Sequence, residues 1–176
     1  WGIRDSDIGC ARGRFILRMA AAQPEWNFRG VEIREPLVDE ANRLAAEANL
    51  TNLHYVFCNA MLRLRQLLSD VPDGVLQVVT IQFPDPWFKK RHAKRRMVNA
   101  ELVATVVDKL APAGKIFVQT DIEFLAEEMF DLFRADERLS EIETSENPFP
   151  VKTEREQAVK DKNLSTYLAM FSKNIE

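Results

Sequence analysis

Apolar and polar positions along this chain change period in a regular rhythm. Runs rich in apolar and β-branched residues occur at 28–33, 53–58, 75–83 and 115–120, each the length of a buried strand. Between them the apolar positions take up helical spacing, at 14–22, 36–48, 60–68, 98–110 and 122–133. In the second of these, Leu37, Ala41, Leu44, Ala45 and Ala48 share one face. Pro36 suits the first turn, where its missing N–H would have no helical partner anyway. The segment before Gly9 completes the rhythm as a first strand, although it is unusually polar.

The last forty or so residues change character. Residues 140–145 read as a strand, Asn147-Pro148-Phe149-Pro150 as a turn or loop, and 166–172 as a final strand. Residues 151–163 are polar, charged and without clear period. Alternating strands and helices imply an α/β fold, a mostly parallel sheet with helices on both faces. The two late strands predict an antiparallel pair closing one sheet edge. In such a sheet ligands bind beyond the carboxyl ends of the strands, so the strand ends are the places to look for chemistry.

Length and composition narrow the picture. At 176 residues the expectation is a single domain over 1–176. A content of 46% apolar and 29% charged residues is that of an ordinary globular domain. No apolar run approaches the roughly 18 residues that span a bilayer, so no membrane partner is expected. The start, Trp1-Gly2-Ile3-Arg4, lacks the apolar stretch of a signal peptide. It also lacks an initiator Met and enters a motif almost at once, so a missing N-terminal segment is expected. Cys10 and Cys58 match no zinc or disulfide spacing, and no metal-ligand cluster stands out. A reduced, cytoplasmic setting is the default.

The net charge of −3 argues weakly against nucleic acid, but its distribution argues for it. The run 89–96 (KKRHAKRR) has six Lys or Arg in eight residues and no acid, which leaves the rest of the chain at −9. One cationic patch on an acidic body fits a local polyanion site.

Five strand ends carry candidate chemistry. After the first, Asp7-Ile8-Gly9-Cys10-Ala11-Arg12-Gly13 is a glycine-bracketed turn that admits a ligand to the backbone or is simply a turn. It lacks the third glycine of the dinucleotide fingerprint. The second ends at Val31-Glu32-Ile33, where an acid can accept both hydroxyls of an adenosine ribose or act as a surface acid at a helix start. The third ends at Cys58-Asn59-Ala60. Asn59 can meet an adenine edge, cap the next helix or do both, and Ala60 leaves room for the ring. A dinucleotide brings a pyrophosphate that wants several glycines. S-adenosylmethionine brings a sulfonium and an ammonium, and so tolerates Asp7; it is the favoured cofactor.

The fourth strand end is the most informative. Prolines on both sides of Asp85 restrict the backbone and hold its carboxylate, and Trp87 offers a stacking face. Lys89, Lys90, Arg91, Lys94, Arg95 and Arg96 can neutralise phosphates. A buried Trp with a solvated charge run is the plainer reading. Further on, Asp121 follows the fifth strand as a helix cap or a pocket residue. Thr153 and Glu156 have capping-box spacing.

The stretch from Phe83 to Arg96 (FPDPWFKKRHAKRR) resembles the signature of the bacterial tRNA (guanine-N7)-methyltransferases. Asp7-Ile8-Gly9 with Gly13-Arg14-Phe15, Gly30-Val31-Glu32-Ile33, Thr120-Asp121 and Thr153-Glu154-Arg155-Glu156 follow in that family's order. The resemblance implies a class I, Rossmann-like S-adenosylmethionine methyltransferase fold and methylation of guanine 46 in the tRNA variable loop. It implies cofactor contacts at Asp7, Glu32, Asn59 and Asp85, to which the strand-end reading adds Gly9, Ile33 and Ala60. It implies substrate contacts at Lys89, Asp121, Thr153, Glu154, Arg155 and Glu156, with Asp85 as the catalytic residue. Ala11, Asp7 and Asn59 stand where the family more often has Gly, Glu and Asp. A monomer or homodimer acting on tRNA is expected. The alternatives are another S-adenosylmethionine-dependent RNA or protein methyltransferase, or a non-catalytic RNA-binding module on the same fold.

Overall fold

A computed structural model describes residues 2–175. Seven strands form one sheet: β1 (Asp5–Ile8), β2 (Phe28–Glu32), β3 (Leu53–Phe57), β4 (Leu76–Gln82), β5 (Leu110–Thr120), β6 (Leu139–Ile142) and β7 (Tyr167–Lys173). Their spatial order is β3-β2-β1-β4-β5-β7-β6. β1 to β5 run parallel, and β7 lies antiparallel to both β5 and β6, so the late pair closes the edge as expected. The connections are α1 (Arg14–Ala22), α2 (Glu35–Glu47), α3 (Ala60–Leu67), α4 (Ala100–Lys109) and α5 (Glu123–Arg134). A sixth helix, α6 (Glu154–Asp161), precedes β7.

Two apolar clusters divide the core. Phe28, Leu53 and Tyr55 pack with Phe15, Met19, Val38 and Ala41 of α1 and α2. Ile81, Ile116 and Val118 pack with Leu64, Val106 and Phe133 of α3, α4 and α5. Each fully buried chain of this size contributes about 1.5–3 kcal/mol of transfer free energy.

β1 is a central strand, yet three of its four side chains are polar. Asp5, Ser6 and Asp7 are all buried. The expectation that 151–163 lacks periodicity is also explained. α6 buries only Glu156 and Val159, so no apolar stripe marks it. The Asn147–Pro150 loop is an anchor: Phe149 packs edge-on against Phe15 and Phe117, at 6.0 and 5.4 Å between ring centroids. The sheet order reverses between β1 and β4, and a crevice opens beyond their carboxyl ends.

Candidate functional site

That crevice is a cleft of about 1160 Å³. It gathers Asp7, Gly9, Glu32, Ile33, Asn59, Ala60, Asp85, Arg95, Asp121, Thr153, Glu154 and Arg155 from across the sequence-derived set. Lys89, Lys90, Arg91, Lys94, Arg96 and Glu156 are not among its lining residues.

One rim is the turn after β1. Gly9 and Gly13 take positive φ of 78° and 75°, which side chains rarely adopt. At Gly13 the close neighbour is the Tyr55 ring, which would stand 2.3 Å from an added Cβ. The Tyr55 hydroxyl donates to the Gly13 carbonyl at 2.6 Å. Gly13 therefore serves packing within the fold, and it lines the cleft together with Gly9. Glu32, at the end of β2, is buried and holds this rim together. Its carboxylate accepts the Ala11 N–H at 3.0 Å, the Arg34 N–H at 2.8 Å and Arg34 Nε at 3.0 Å. Asn59 occupies the N-cap position of α3, yet its side chain makes no capping bond. Beside it in the cleft wall, Ile33 is 53% exposed.

Asp7 closes the floor. Burial pushes its carboxyl up to about 7, against the pull of the Thr80 hydroxyl, which donates to it at 2.7 Å. Asp5 is raised in the same direction by burial and then by the charge of Asp7. Burial, followed by the nearby acids, also raises the Cys10 thiol, so Cys10 is no thiolate nucleophile.

The opposite rim follows β4. Phe83 and Trp87 both have positive φ, 51° and 44°, on either side of Pro84-Asp85-Pro86. Bulky residues in this region cost of the order of 1–3 kcal/mol each and are retained where the surroundings enforce them. Asp85 Oδ1 accepts the Trp87 N–H at 3.0 Å. That bond fixes the carboxylate and leaves Oδ2 without a protein partner among the described residues. Arg96 completes the enforcement. It pairs with Glu128 at 2.7 Å and donates to the carbonyls of Pro86 and Trp87 at 2.9 and 3.1 Å. Arg96 was expected among the phosphate contacts; its guanidinium is instead spent on the motif's own backbone.

The remaining cations of the run behave differently. Residues 90–95 form a 3-10 turn, and Lys89, Lys90, Arg91, Lys94 and Arg95 are exposed. None of the five has an acidic partner among the described residues. Arg95 lies over the Trp87 ring at 5.2 Å, and His92 meets it edge-on at 5.6 Å. One face of the expected stacking platform is thus already covered.

The C-terminal segment forms the third wall. Thr153 caps α6 by accepting the Glu156 N–H at 3.0 Å. The reciprocal half of a capping box is absent, because the Glu156 carboxylate turns inward. It is fully buried, accepts from Gln119 at 3.0 Å and Asn147 at 2.8 Å, and pairs with Lys160 at 2.8 Å. Burial alone would raise this carboxyl, but the bonds from Lys160, Gln119 and Asn147 bring it below the ordinary value. Glu156, expected to touch substrate, faces the protein interior. Arg155 pairs with Asp121, and Arg14 with Glu154 at 2.6 Å. Gln82 also lines the cleft and was absent from the sequence-derived set. A polar residue inside an apolar strand run was the signal available for it.

Comparisons with known proteins bear on the family and the fold. A model of a family described as "Putative methyltransferase" matches residues 5–169. The tRNA (guanine-N(7)-)-methyltransferase of Trichormus variabilis is 53% identical over 95% of this chain and 80% of its own length. That of Synechococcus elongatus is 55% identical over 94% of this chain and 79% of its own. Among solved structures, the antibiotic-resistance methyltransferase Kmr superposes with a TM-score of 0.65 at 20% identity, over 98% of this chain and 87% of its own. At that identity the likeness speaks for the fold.

Proposed function

Because the chain belongs to the tRNA (guanine-N7)-methyltransferase family, we propose that it transfers a methyl group from S-adenosylmethionine to N7 of guanine 46 in the tRNA variable loop. The observation that carries the reading is one cleft, at the β1/β4 reversal, lined by Asp85, Glu32 and Asn59 together. We also read the 176 residues as one catalytic domain, acting in the cytoplasm as a monomer or homodimer.

The residues present fit the cofactor. Asn59 has an uncommitted amide beside the exposed Ile33, an edge and an apolar face suited to adenine. Asp7 is a buried acid without a cationic partner among the described residues, suited to an ammonium. Glu32 uses three of a carboxylate's roughly four acceptor sites on its own rim, which leaves room for one ribose hydroxyl rather than two. Gly9 and Ala60 add little bulk to the cleft wall. When bound, S-adenosylmethionine supplies a methyl carbon made electrophilic by its sulfonium.

N7 of neutral guanine carries a free lone pair, so no base need remove a proton. The chain must hold N7 in line with the methyl carbon. Asp85, through its free oxygen, accepts from guanine N–H groups and opposes the positive charge that grows on the purine. Asp121, Thr153, Glu154 and Arg155 bound the base pocket. Lys89, Lys90, Arg91, Lys94 and Arg95 hold the RNA backbone.

The test is methylation of unmodified tRNA with labelled S-adenosylmethionine, followed by mapping of the modified base. Label at N7 of guanine 46 is expected, with none on tRNA carrying 7-deazaguanine there. Transfer to the deaza analogue would overturn the N7 assignment.

A further inference from the structure

Gln82 is the last residue of β4, three positions before Asp85, and is 7% exposed at the cleft wall. Its Nε2 is buried and has no hydrogen-bond partner among the described residues. A buried amide donor left unpaired is costly, and native structures rarely keep one without use.

The neighbours dictate that the free end is a donor. Glu156 is ionised and can only accept, so Gln119 must turn its amide nitrogen toward it, at 3.0 Å. The Gln119 oxygen then faces Thr166, whose hydroxyl donates to it at 2.7 Å. The same Gln119 nitrogen has a second hydrogen, which reaches Gln82 Oε1 at 3.2 Å. Gln82 has thereby spent its acceptor and has only its N–H groups left. A carboxylate on α6 sets the polarity of a group on β4 through one intervening side chain.

The position selects the ligand atom. Gln82 pairs in register with Gln119, two residues before Asp121, so it belongs with Asp85 and Asp121 on the side away from the Glu32 rim. Guanine presents donors at N1 and N2, which suit Asp85, and acceptors at O6, N7 and N3. N7 must stay free for attack and N3 lies on the sugar edge beside N2, which leaves O6, the acceptor between N1 and N7. We propose that Gln82, oriented by Gln119 and Glu156, donates to guanine O6 and is a specificity-determining residue for the target base. The inference rests on the proposed function and deepens it. It rejects adenine, which carries a donor at the same place.

The test compares tRNA carrying guanine with tRNA carrying 6-thioguanine at the target. The thio base keeps N1–H, N2 and N7 and replaces O6 by a poor acceptor. The wild-type protein is expected to prefer guanine by about 10- to 100-fold in kcat/KM. Gln82→Met, similar in size and without N–H groups, is expected to bring that ratio close to one. The ratio is internal to each protein, so a partly folded variant does not distort it. Cofactor affinity, measured by calorimetry, is expected to be unchanged. An unaltered ratio in Gln82→Met, or no preference in the wild type, overturns the inference while the proposed function stands. A tenfold loss of cofactor affinity with an unaltered ratio assigns the donor to the cofactor's carboxylate and likewise overturns it. Absence of transfer to guanine tRNA by the wild-type protein overturns both readings.

Discussion

The two rims of the cleft are built by opposite means. The Glu32 rim is closed on itself: a buried carboxylate draws in two backbone N–H groups and a guanidinium, and buried acids lie beneath. The Asp85 rim is open, with an exposed acid, five exposed cations and two aromatics in left-handed backbone. A site for a small molecule can be ordered by bonds within the protein. A site for a polyanion must leave its cations unpaired, so its order comes from elsewhere. Here one cation of the run, Arg96, is taken out of service to hold the turn.

The sharpest way to break this contrast is Asp85→Asn. It keeps the shape of the open rim and removes its charge. The expected loss is about 10²–10³-fold in kcat, with KM for tRNA nearly unchanged. Steady-state kinetics showing full activity would remove Asp85 from the electrostatic role.

Removing the organiser of each rim comes next. Glu32→Ala is expected to weaken cofactor binding by about 1–3 kcal/mol and to spare tRNA affinity. Arg96→Ala is expected to cost about 1–3 kcal/mol of folding stability, seen in denaturant unfolding. Replacing Lys90 and Lys94 by Ala is expected to leave stability alone and to reduce the salt slope of tRNA binding by about 0.9 per lost phosphate contact. If Arg96→Ala changes only the salt slope, Arg96 belongs with the phosphate contacts after all.

Acidity separates the rims further. A carboxyl raised from 3.8 to about 7 is neutral in the folded chain at low pH and destabilises it once ionised. The free protein is therefore expected to lose stability as pH rises from about 4 to 7, and Asp7→Asn to flatten that part of the slope. A cationic ligand beside Asp7 reverses the sign. Its affinity is expected to climb by up to about tenfold per pH unit below 7, then level off. Calorimetry across pH 6–8 with no difference between wild type and Asp7→Asn would exclude that contact.

The smallest expected effect is at Asn59. Losing an N-cap side chain usually costs about 0.5–2 kcal/mol, but Asn59 makes no capping bond. Asn59→Ala is expected to leave the Tm unchanged and to lower cofactor affinity by about 0.5–1.5 kcal/mol. A lowered Tm would restore the capping role.

Most of the sheet was legible because burial on both faces writes long apolar runs. β1 was hard to place because three buried polar residues replace that run. α6 showed only its start, in the capping-box spacing of Thr153 and Glu156, because a helix that buries two side chains leaves no apolar stripe. The strand-end rule pointed to Asp7, Glu32, Asn59 and Asp85 from position alone, and all four line the cleft. Arg96 and Glu156 were misplaced for a common reason: adjacency along the chain says nothing about which side of the backbone a group uses. Gln82 and Gln119 went unnoticed because a cross-strand polar pair needs a register, which one strand's sequence does not contain.

β7 lies between β5 and β6, although both precede it in the chain. In chain order β5 therefore has one flank without its strand partner until α5, β6 and α6 have been made. Thr166, which orients Gln119, arrives at the threshold of that last insertion. The Glu32 rim can thus assemble before the Gln82–Gln119 pair is oriented, and insertion of β7 covers an exposed sheet edge and supplies the Thr166 bond in one step.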